Sequence, residues 1–438
     1  MRLWVKFTLG KLFYRRLEVR GLEKIDQNKP IILAPNHQNA LIDALIVAIS
    51  LKQQPVFLAR ADIFEKDFIQ AILRFLRMLP VYRIRDGFDS LKKNEAIFDQ
   101  CVNYLGDKNT LILFPEGNHG ERRHFRPLKK GLGRIAFEAE KKHNFELGLQ
   151  IIPIGIDYQD YRKFRGRASI RIGDPIEMSS LRDLYEENPQ KGLRNLNLLI
   201  TKGIEPYMIE IPWMDHYDVI MDIRSVYGEQ YHLKIGGSPG KDLLSRFDSH
   251  KKLIDKLGKV VEENPVRIIE IGSKITDYFN NLKKLNLRDH VIMKAPYSAS
   301  GLAFKSFLLL LGFPFFVYGL INNYLIFKIP EHFTLTKIKD PQFRSSIAYT
   351  MAFVALLPVL YTIQTVLVAL FTRGWWIPLL YLASLIPSGL FAINYSFWFK
   401  KLRARWKFYL LTLKNNQELK SLSDQRKIII DSLDDLTA

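Results

Sequence analysis

The sequence has very little cysteine. Cys101 is the only cysteine among 438 residues, so the chain forms no intramolecular disulfide and no cysteine-based metal cluster. Apolar residues stand four positions before and four positions after it, at Ile97 and Leu105, which is the spacing of one helix face. We therefore expect Cys101 to pack in a core rather than to act as a nucleophile.

Acidic residues are also comparatively few. Lysine and arginine total 64 against 45 for aspartate and glutamate, and the resulting net charge of +19 calls for nucleic acid, phosphorylated metabolites or anionic lipid as a partner. Two uncharged runs, Ser345–Thr372 and Gly374–Phe399, each exceed the roughly 20 apolar residues that span a bilayer. We therefore expect a membrane protein and no nucleic-acid partner, because anionic lipid explains the charge and no aromatic-basic module is found.

The N-terminal stretch lacks the unbroken apolar core of a signal peptide, because Arg2, Lys6 and Lys11 interrupt it. We predict instead an amphipathic interfacial helix over residues 1–19, with a helix packed on the protein surface as the alternative. The lipid-facing side chains of this helix would be Leu3, Trp4, Phe7, Leu12 and Phe13.

Residues 20–178 alternate short apolar runs with amphipathic stretches, a pattern typical of βαβ units. The runs are Ile31–Leu33, Val56–Leu58, Val81–Ile84, Leu111–Phe114, Ile151–Ile156 and Ser169–Ile172. The predicted helices are Lys66–Arg77, Ser90–Leu105 and Leu128–His143. The predicted fold class is therefore α/β, with a mostly parallel sheet flanked by helices, and ligands of such sheets bind at the carboxyl ends of the strands.

Two polar clusters directly follow or end the early strands. The first contains His37, whose imidazole can take a proton near neutral pH, and Asp43, which could fix its tautomer. A capped helix start with a solvated histidine is the alternative. In the second cluster, Arg83 or Arg85 could hold a phosphate through bidentate hydrogen bonds, unless they are ordinary surface arginines.

The third cluster, Phe114–His119, ends a strand with a proline and a glycine that force a tight turn and expose Glu116. That carboxylate could bind the hydroxyls of a polyol or orient the basic groups that hold its phosphate. The cations behind it suit a phosphate or a phosphorylated thioester carrier, and they are Arg122, Arg123, Arg126, Lys129 and Lys130. The fourth cluster, Ile152–Gly155, contains Pro153 and is better suited to shaping a pocket wall than to chemistry.

In their order and spacing, the four clusters resemble the phospholipid/glycerol acyltransferase family, whose pattern is N-H-x4-D, an arginine block, F-P-E-G and a proline-containing strand. The resemblance covers about Arg20–Met178. It implies acyl transfer from acyl-CoA or acyl carrier protein to a hydroxyl of a glycerol phosphate or lysophospholipid, with His37 as general base and Asp43 as its partner. With the basic cluster included, the candidate substrate-binding residues are Asn36, Arg83, Arg85, Phe114, Pro115, Glu116, Gly117, Arg126 and Lys129.

Such a reaction needs little further machinery. Because thioesters are already activated, a base and hydrogen-bond donors for the developing oxyanion suffice, and we expect neither a metal nor a cofactor. Backbone N–H groups at the start of the helix after His37 are the candidate oxyanion donors.

The chain departs from the family pattern at two points. Five residues separate His37 from Asp43 where the family has four, and side chains six positions apart diverge on a regular helix. The two can meet only if His37 lies in the turn before the helix or if a bulge absorbs the extra residue. A similar longer spacing occurs in a fungal-type glycerol-3-phosphate/dihydroxyacetone-phosphate acyltransferase branch. Asn118 and His119 also replace the common Thr-Arg, which leaves the acceptor contacts of that loop open.

The rest of the chain predicts a helical accessory region over 179–300, a membrane region over 301–400 and a polar helix or tail over 401–438. The membrane region would contain a spanning or re-entrant segment at 306–327, followed by a hairpin of segments 345–372 and 374–399. The first segment is ambiguous because of the residues that would leave polar groups at membrane depth, which are Pro314, Gly319, Asn322 and Asn323. Basic residues before and after the hairpin place the catalytic domain on the cytoplasmic face.

The leading hypothesis is a membrane-bound O-acyltransferase of phospholipid biosynthesis whose acceptor is glycerol 3-phosphate or dihydroxyacetone phosphate. The alternative acceptor is 1-acyl-glycerol 3-phosphate. A hypothesis from another class is a catalytically inactive lipid-binding scaffold, disabled by the stretched spacing of His37 and Asp43.

Overall fold

The computed structural model describes residues 2–64, 67–82, 89–118, 120, 122–239 and 242–437. The chain divides into two compact units. The first is Met1–Glu210 with Asp340–Ser346, and the second is Ile211–Lys339 with Ile347–Ala438.

Within the described residues, a sheet of eight strands forms the centre of the first unit. The strands are β1 Arg16–Arg20, β2 Ile31–Pro35, β3 Val56–Arg60, β4 Met78–Val81, β5 Thr110–Ile112, β6 Gln150–Tyr158, β7 Arg167–Ile172 and β8 Ile176–Glu177. Their order is β1-β7-β6-β2-β5-β3-β4, with β8 paired to β6. The pairs β6–β7 and β6–β8 are antiparallel and the others are parallel, which confirms the predicted α/β class.

Helices pack around this sheet. They are α1 Arg2–Phe7, α2 Ala40–Ser50, α3 Asp67–Phe75, α4 Asp89–Gly106, α5 Gly131–Lys142, α6 Arg182–Glu187 and α7 Pro189–Ile204. Cys101 of α4 is fully buried with Val102 and Leu105 in the same apolar cluster as α5 side chains, as its spacing predicted. The three helices predicted in this region are present, with ends that differ from the prediction by a few residues.

Strand β2 determines where the candidate site lies. All five of its residues are buried, because β2 lies between β5 and β6 and is covered on both faces, which explains its unbroken apolar sequence. The parallel strands β2, β4 and β5 present their carboxyl ends at one edge of the sheet. The strand predicted at Val81–Ile84 is displaced, since β4 ends at Val81 and Ile84 lies outside the described residues.

The N-terminal prediction is correct only in part. Helix α1 continues as a π-helical turn over Thr8–Phe13, and β1 then pairs with β7, so the helix predicted over 1–19 is too long. Leu12 and Phe13 are buried at 4% and 5% exposure and therefore do not face lipid, whereas Leu3 is 84% exposed. The sheet accordingly begins before residue 20, the predicted start of the catalytic domain.

The second unit is helical. Its helices are α8 Tyr217–Lys234, α9 Leu243–Glu263, α10 Pro265–Lys284, α11 Asp289–Met293, α12 Ala299–Lys337, α14 Leu357–Phe371, α15 Trp376–Leu413 and α16 Gln417–Leu436. Helix α13, Pro341–Tyr349, begins in the first unit and ends in the second. The accessory helices start later than residue 179, because α6 and α7 belong to the first unit and α7 packs on β6.

The C-terminal helix that the sequence predicted over 401–438 is present, as the end of α15 and as α16, but α16 is packed rather than fully solvated. It buries Leu419, Leu422 and Leu433 and packs against α10. The hydroxyl of Tyr227 in α8 donates to Asp434 Oδ1 at 2.6 Å. Helix α16 is therefore part of the second unit's core.

Among the described residues, three helical stretches are long and apolar enough to cross a membrane: Ala299–Lys337, Pro341–Phe371 and Trp376–Leu413. The first is one continuous helix, about 58 Å long at 1.5 Å per residue. The amide nitrogen of Asn323 donates to the carbonyl oxygens of Gly319, at 2.9 Å, and Leu385, at 3.2 Å. The hydroxyl of Tyr361 donates to Asn323 Oδ1 at 2.6 Å. These hydrogen bonds satisfy the side chain of Asn323, one of the polar groups that made a spanning helix ambiguous in the sequence.

Candidate active site

The His37 turn connects β2 to α2. Asn36 anchors it, because its backbone N–H donates to the carbonyl of Ile154 at 3.2 Å and its side chain makes two hydrogen bonds to the backbone of Ile156, at 2.6 and 3.1 Å. Asn36 is 1% exposed, so its observed role is to position the turn, which differs from the substrate contact we expected. Helix α2 then starts at Ala40, whose φ of +41° turns the backbone sharply.

His37 and Asp43 meet despite their long spacing. His37 precedes the first residue of α2, which is one of the two arrangements that permit contact, and its Nδ1 lies 2.8 Å from Asp43 Oδ2. The same carboxylate oxygen accepts the backbone N–H groups of Gln38 at 2.8 Å and Asn39 at 2.6 Å. The turn therefore wraps around the Asp43 carboxylate.

The hydrogen bonds to Asp43 occupy backbone N–H groups that we expected to serve as oxyanion donors. The N–H groups of Gln38 and Asn39 already donate to Asp43, and the N–H of Ile42 donates to the carbonyl of Asn39 at 3.0 Å. Three of the first N–H groups after His37 are thus occupied by contacts within the turn.

Tyr158, at the end of β6, is a partner of the site that the sequence reasoning missed. Its hydroxyl donates to Asp43 Oδ1 at 2.5 Å, and its ring stacks on Tyr14 at 6.1 Å between centroids. Burial, reinforced by the charge of Asp43, raises the pKa of Tyr158 well above its ordinary value, so the phenol stays a proton donor. A tyrosine that ends a buried strand gives no local signal of this role, because only the sheet brings it to Asp43.

The Phe114–Gly117 turn lies directly against His37. The ring of Phe114 stacks on the imidazole with centroids 3.9 Å apart and an interplanar angle of 18°. Gly117 has a φ of +69°, a left-handed conformation that favours glycine, and its N–H closes the turn on the carbonyl of Phe114 at 3.1 Å. This proline-glycine turn is the one that the sequence predicted.

Glu116 is buried rather than exposed by this turn. It is 4% exposed, and its Oε1 accepts the backbone N–H of His37 at 2.9 Å. Desolvation raises the pKa of Glu116 to about 7, although the hydrogen bonds from the His37 and Arg126 backbones and the charge of Arg126 act against the shift. Its carboxylate therefore ties the two turns together and lies beside a cation.

The basic residues of the prediction fall into three groups. Arg126 lies close enough to Glu116 to influence its pKa, and exposed Lys129 donates its backbone N–H to the carbonyl of Pro115 at 2.8 Å. Arg123 is buried and pairs with Asp157, so it supports the fold. Arg83 and Arg85 lie outside the described residues.

The described part of the chain contains no group of three or more histidine, cysteine, aspartate or glutamate side chains that could hold a metal ion. The arrangement is instead a histidine oriented by a buried carboxylate, covered on one ring face by Phe114 and bordered by cations. Such a site can take a proton from a hydroxyl and attract an anionic substrate.

The sequence of this chain is similar to those of known acyltransferases. A family model described as Acyltransferase matches residues 16–157. An uncharacterised acyltransferase of Schizosaccharomyces pombe is 22% identical over 389 residues, covering 69% of this chain and 56% of the relative. Glycerol-3-phosphate O-acyltransferase 1 of Saccharomyces cerevisiae is 26% identical over 203 residues, covering 46% of this chain and 26% of that enzyme.

A third relative is a chloroplast 1-acyl-sn-glycerol-3-phosphate acyltransferase of Brassica napus. It is 24% identical over 156 residues, which cover 35% of this chain and 40% of the relative. The chain thus spans between about a quarter and just over half of the length of these three relatives.

Proposed function

Because residues 16–157 belong to the phospholipid/glycerol acyltransferase family, we propose that this chain is a membrane-bound glycerolipid O-acyltransferase. The observation that carries the proposal is the 2.8 Å contact of His37 Nδ1 with the buried Asp43 carboxylate, beside the Phe114–Gly117 turn. In the proposed reaction an acyl group passes from acyl-CoA or acyl carrier protein to a hydroxyl of a phosphate-bearing glycerol acceptor.

The chemistry follows from the tautomer of His37. A proton on Nδ1 is held by Asp43, so Nε2 carries the lone pair and takes the proton of the acceptor hydroxyl. The hydroxyl oxygen attacks the thioester carbonyl carbon to give a tetrahedral oxyanion. When that intermediate collapses, the C–S bond breaks and the imidazolium returns its proton to the leaving thiolate. Asp43 stabilises the imidazolium between these two steps.

The acceptor phosphate would be held by cations around the same turn. Arg126 and Lys129 border the turn in the structure, and the sequence adds Arg83 and Arg85 from the segment after β4. Arginine offers paired donors that match two phosphate oxygens, and lysine supplies a point charge. Glu116 would act by holding the His37 backbone and Arg126 in fixed positions relative to each other.

We propose glycerol 3-phosphate or dihydroxyacetone phosphate as the acceptor. The long spacing between His37 and Asp43 and the similarity to the S. cerevisiae glycerol-3-phosphate enzyme, which covers 46% of this chain, favour it. Similarity to the B. napus enzyme, over 35% of the chain, supports 1-acyl-glycerol 3-phosphate as the second candidate.

The three apolar helical stretches support a membrane location. We propose that the catalytic domain faces the cytoplasm, because lysine and arginine flank both ends of the segment 345–399. These flanking residues are Lys328, Lys337, Lys339 and Arg344 before it, and Lys400, Lys401, Arg403, Arg405 and Lys407 after it.

The test measures thiol release from palmitoyl-CoA and from palmitoyl-acyl carrier protein by the purified full chain, with each acceptor in turn. We expect the highest kcat/KM with glycerol 3-phosphate or dihydroxyacetone phosphate. His37→Ala and Asp43→Asn should each lower kcat by about a hundredfold or more, the contribution typical of a general base.

A matched control is His143→Ala, which removes an exposed histidine at the end of α5 and should leave kcat unchanged. Equal activity of wild type and His37→Ala would rule out the mechanism. Binding of palmitoyl-CoA without turnover, insensitive to changes at His37 and Glu116, would instead identify a lipid-binding scaffold.

A further inference from the structure

A cluster of basic residues forms where α11 packs against α15 in the second unit. Arg405 of α15 lies over the ring of Tyr297, 5.5 Å from its centroid, and that ring meets Phe408 edge-on at 5.7 Å. The Tyr297 hydroxyl donates to the carbonyl of Val291 in α11 at 3.0 Å. The aromatic contacts thus fix Arg405 beside α11.

The half-buried imidazole of His290, in α11, belongs to this cluster. Its pKa is lowered, first by burial and then by the positive charges of Lys401, Arg288, Arg405 and Lys294. Four cations from α15 and from both ends of α11 therefore act on one ring. Their mutual repulsion is relieved most effectively by an anion.

Two nitrogens in the cluster point to such an anion: the Nε of Arg405, which is always a donor, and the Nε2 of His290, which donates whenever it carries the ring proton. The Nε2 of His290 and the Nε of Arg405 are buried, and neither has a hydrogen-bond partner among the described residues. The nearest acid in sequence, Asp289, is already used, because its Oδ1 accepts from Arg426 and from Tyr278 at 2.8 Å each. A buried donor without an acceptor is costly, and a phosphate oxygen would satisfy it.

The cluster lies next to exposed apolar surface of α15. In α15 the uncharged run ends at Phe399, and Trp398 and Phe399 are 49% and 52% exposed. The indole N–H of Trp406 donates to Ser306 of α12 at 2.9 Å, which holds the start of α12 against the same level of α15. Basic residues directly after a bilayer-length apolar segment lie at the depth of lipid headgroups.

We propose that Arg288, His290, Lys294, Lys401 and Arg405 form a binding site for the phosphate of an anionic phospholipid headgroup. The acyl chains of the lipid would lie along the exposed apolar surface of α15. The residues of this site belong to the second unit, whereas His37 and Asp43 belong to the first.

The test uses the purified full chain in detergent micelles, with dioleoylphosphatidylglycerol as the probe, because it carries a phosphodiester and is not an acceptor of the proposed reaction. Native mass spectrometry counts retained lipid, and thermal melting follows stabilisation. We expect phosphatidylglycerol to be retained and to raise Tm, and dioleoylphosphatidylcholine to do neither.

The informative variant is Lys294→Gln with Lys401→Gln, since both side chains are exposed and the fold should not change. Apparent affinity for phosphatidylglycerol should fall about fivefold for each cation removed. The matched control, Lys283→Gln with Lys284→Gln, removes the same charge from exposed positions at the end of α10 and should keep wild-type affinity. A third variant, His290→Gln, should also weaken retention.

Three results would overturn the proposal. One is equal retention of the two lipids. Another is an equal loss of affinity in the informative variant and its control, which would mean that net charge alone attracts lipid. The third is stabilisation by inorganic phosphate or glycerol 3-phosphate as strong as that by phosphatidylglycerol, which would identify a site for a soluble anion.

Discussion

The carboxylate of Asp43 is enclosed by donors on every side that the structure describes. His37, the Gln38 and Asn39 backbones and the Tyr158 hydroxyl all bond to it within 2.8 Å. These hydrogen bonds hold the Asp43 carboxylate in one orientation. The carboxylate in turn fixes the orientation of the His37 imidazole. The general base is thus positioned by contacts from β6 as well as from its own turn.

Glu116 makes a pH-dependent contribution to stability. Its folded-state pKa of about 7 lies above the ordinary value of 4.5, so the folded state binds the proton more tightly than the unfolded chain does. The stability that this gives is complete below pH 4.5 and is lost as pH rises through 7. The rise in the pKa of Glu116 from 4.5 to about 7 corresponds to at most about 3 kcal/mol of stability.

We therefore expect Glu116→Gln to become more stable relative to wild type by about 2 kcal/mol between pH 5 and pH 8. Thermal melting of both proteins across this range measures the difference. Any effect of the substitution that does not depend on pH cancels in this comparison. Glu138→Gln, a substitution at an exposed position of α5, is the control. A difference between Glu116→Gln and wild type that does not change with pH would contradict the prediction.

Residues whose role depends on local pattern could be predicted from the sequence. The burial of Cys101 followed from helix spacing, and the contact of His37 with Asp43 required only that the histidine precede the helix. The role of Tyr158 could not be predicted, because β6 lies more than 100 residues from the turn and only strand pairing brings them together. The burial of Glu116 was missed for a similar reason, since the His37 turn covers it.

At the scale of elements, α2 begins without a side-chain cap of its own. Asn39 makes no capping bond, and the N–H of Ile42 reaches the Ser346 hydroxyl at 3.4 Å. That hydroxyl also donates to the Asn39 carbonyl at 3.3 Å. A serine some 300 positions away thus takes the place of a local cap on the helix that carries Asp43.

Ser346→Ala should therefore loosen the first turn of α2. A lost cap costs about 1 kcal/mol, and we expect kcat to fall about fivefold with KM for the acceptor unchanged. Ser346→Thr should restore most of the rate, because it keeps the hydroxyl. The control is Ser345→Ala, whose hydroxyl bonds only to the Tyr161 carbonyl among the contacts described. A kcat equal to that of wild type would show that this contact does not hold the turn.

Elements were predictable where burial imposes an unbroken or periodic pattern. Strand β2 is apolar throughout because it is central, and α4 shows its buried face every third or fourth residue. Strand β1 was missed because it is an edge strand with charges at both ends, Arg16 and Arg20, and continues a basic helix without a break. Its pairing with β7, about 150 residues later, is not visible locally.

At the scale of the whole molecule, the sequence indicated the sheet domain and the apolar helices but not their division into units. The segment Asp340–Ser346 groups with the first unit although it follows α12 in sequence. Composition identifies apolar and charged stretches, but it does not show which unit a later segment of the chain joins. The burial of α16 was missed for the same reason, since its apolar residues do not reveal which helices they pack against.

Helix α16 has a consequence for membrane topology. It follows α15, yet it packs on α8 and α10, which precede α12. A chain that comes back to the compartment it left has traversed the bilayer an even number of times. We therefore predict two traversals rather than three, and the candidate pair is Pro341–Phe371 with Trp376–Leu413.

This parity can be measured with single cysteines in a Cys101→Ala background. We expect Lys252→Cys in α9 and Lys420→Cys in α16 to react alike with a membrane-impermeant maleimide in sealed vesicles. Arg373→Cys, between α14 and α15, should show the opposite accessibility. Unequal labelling of positions 252 and 420 would mean an odd number of bilayer traversals between α9 and α16. Helix α16 could then not pack against α10 when the protein is in a bilayer.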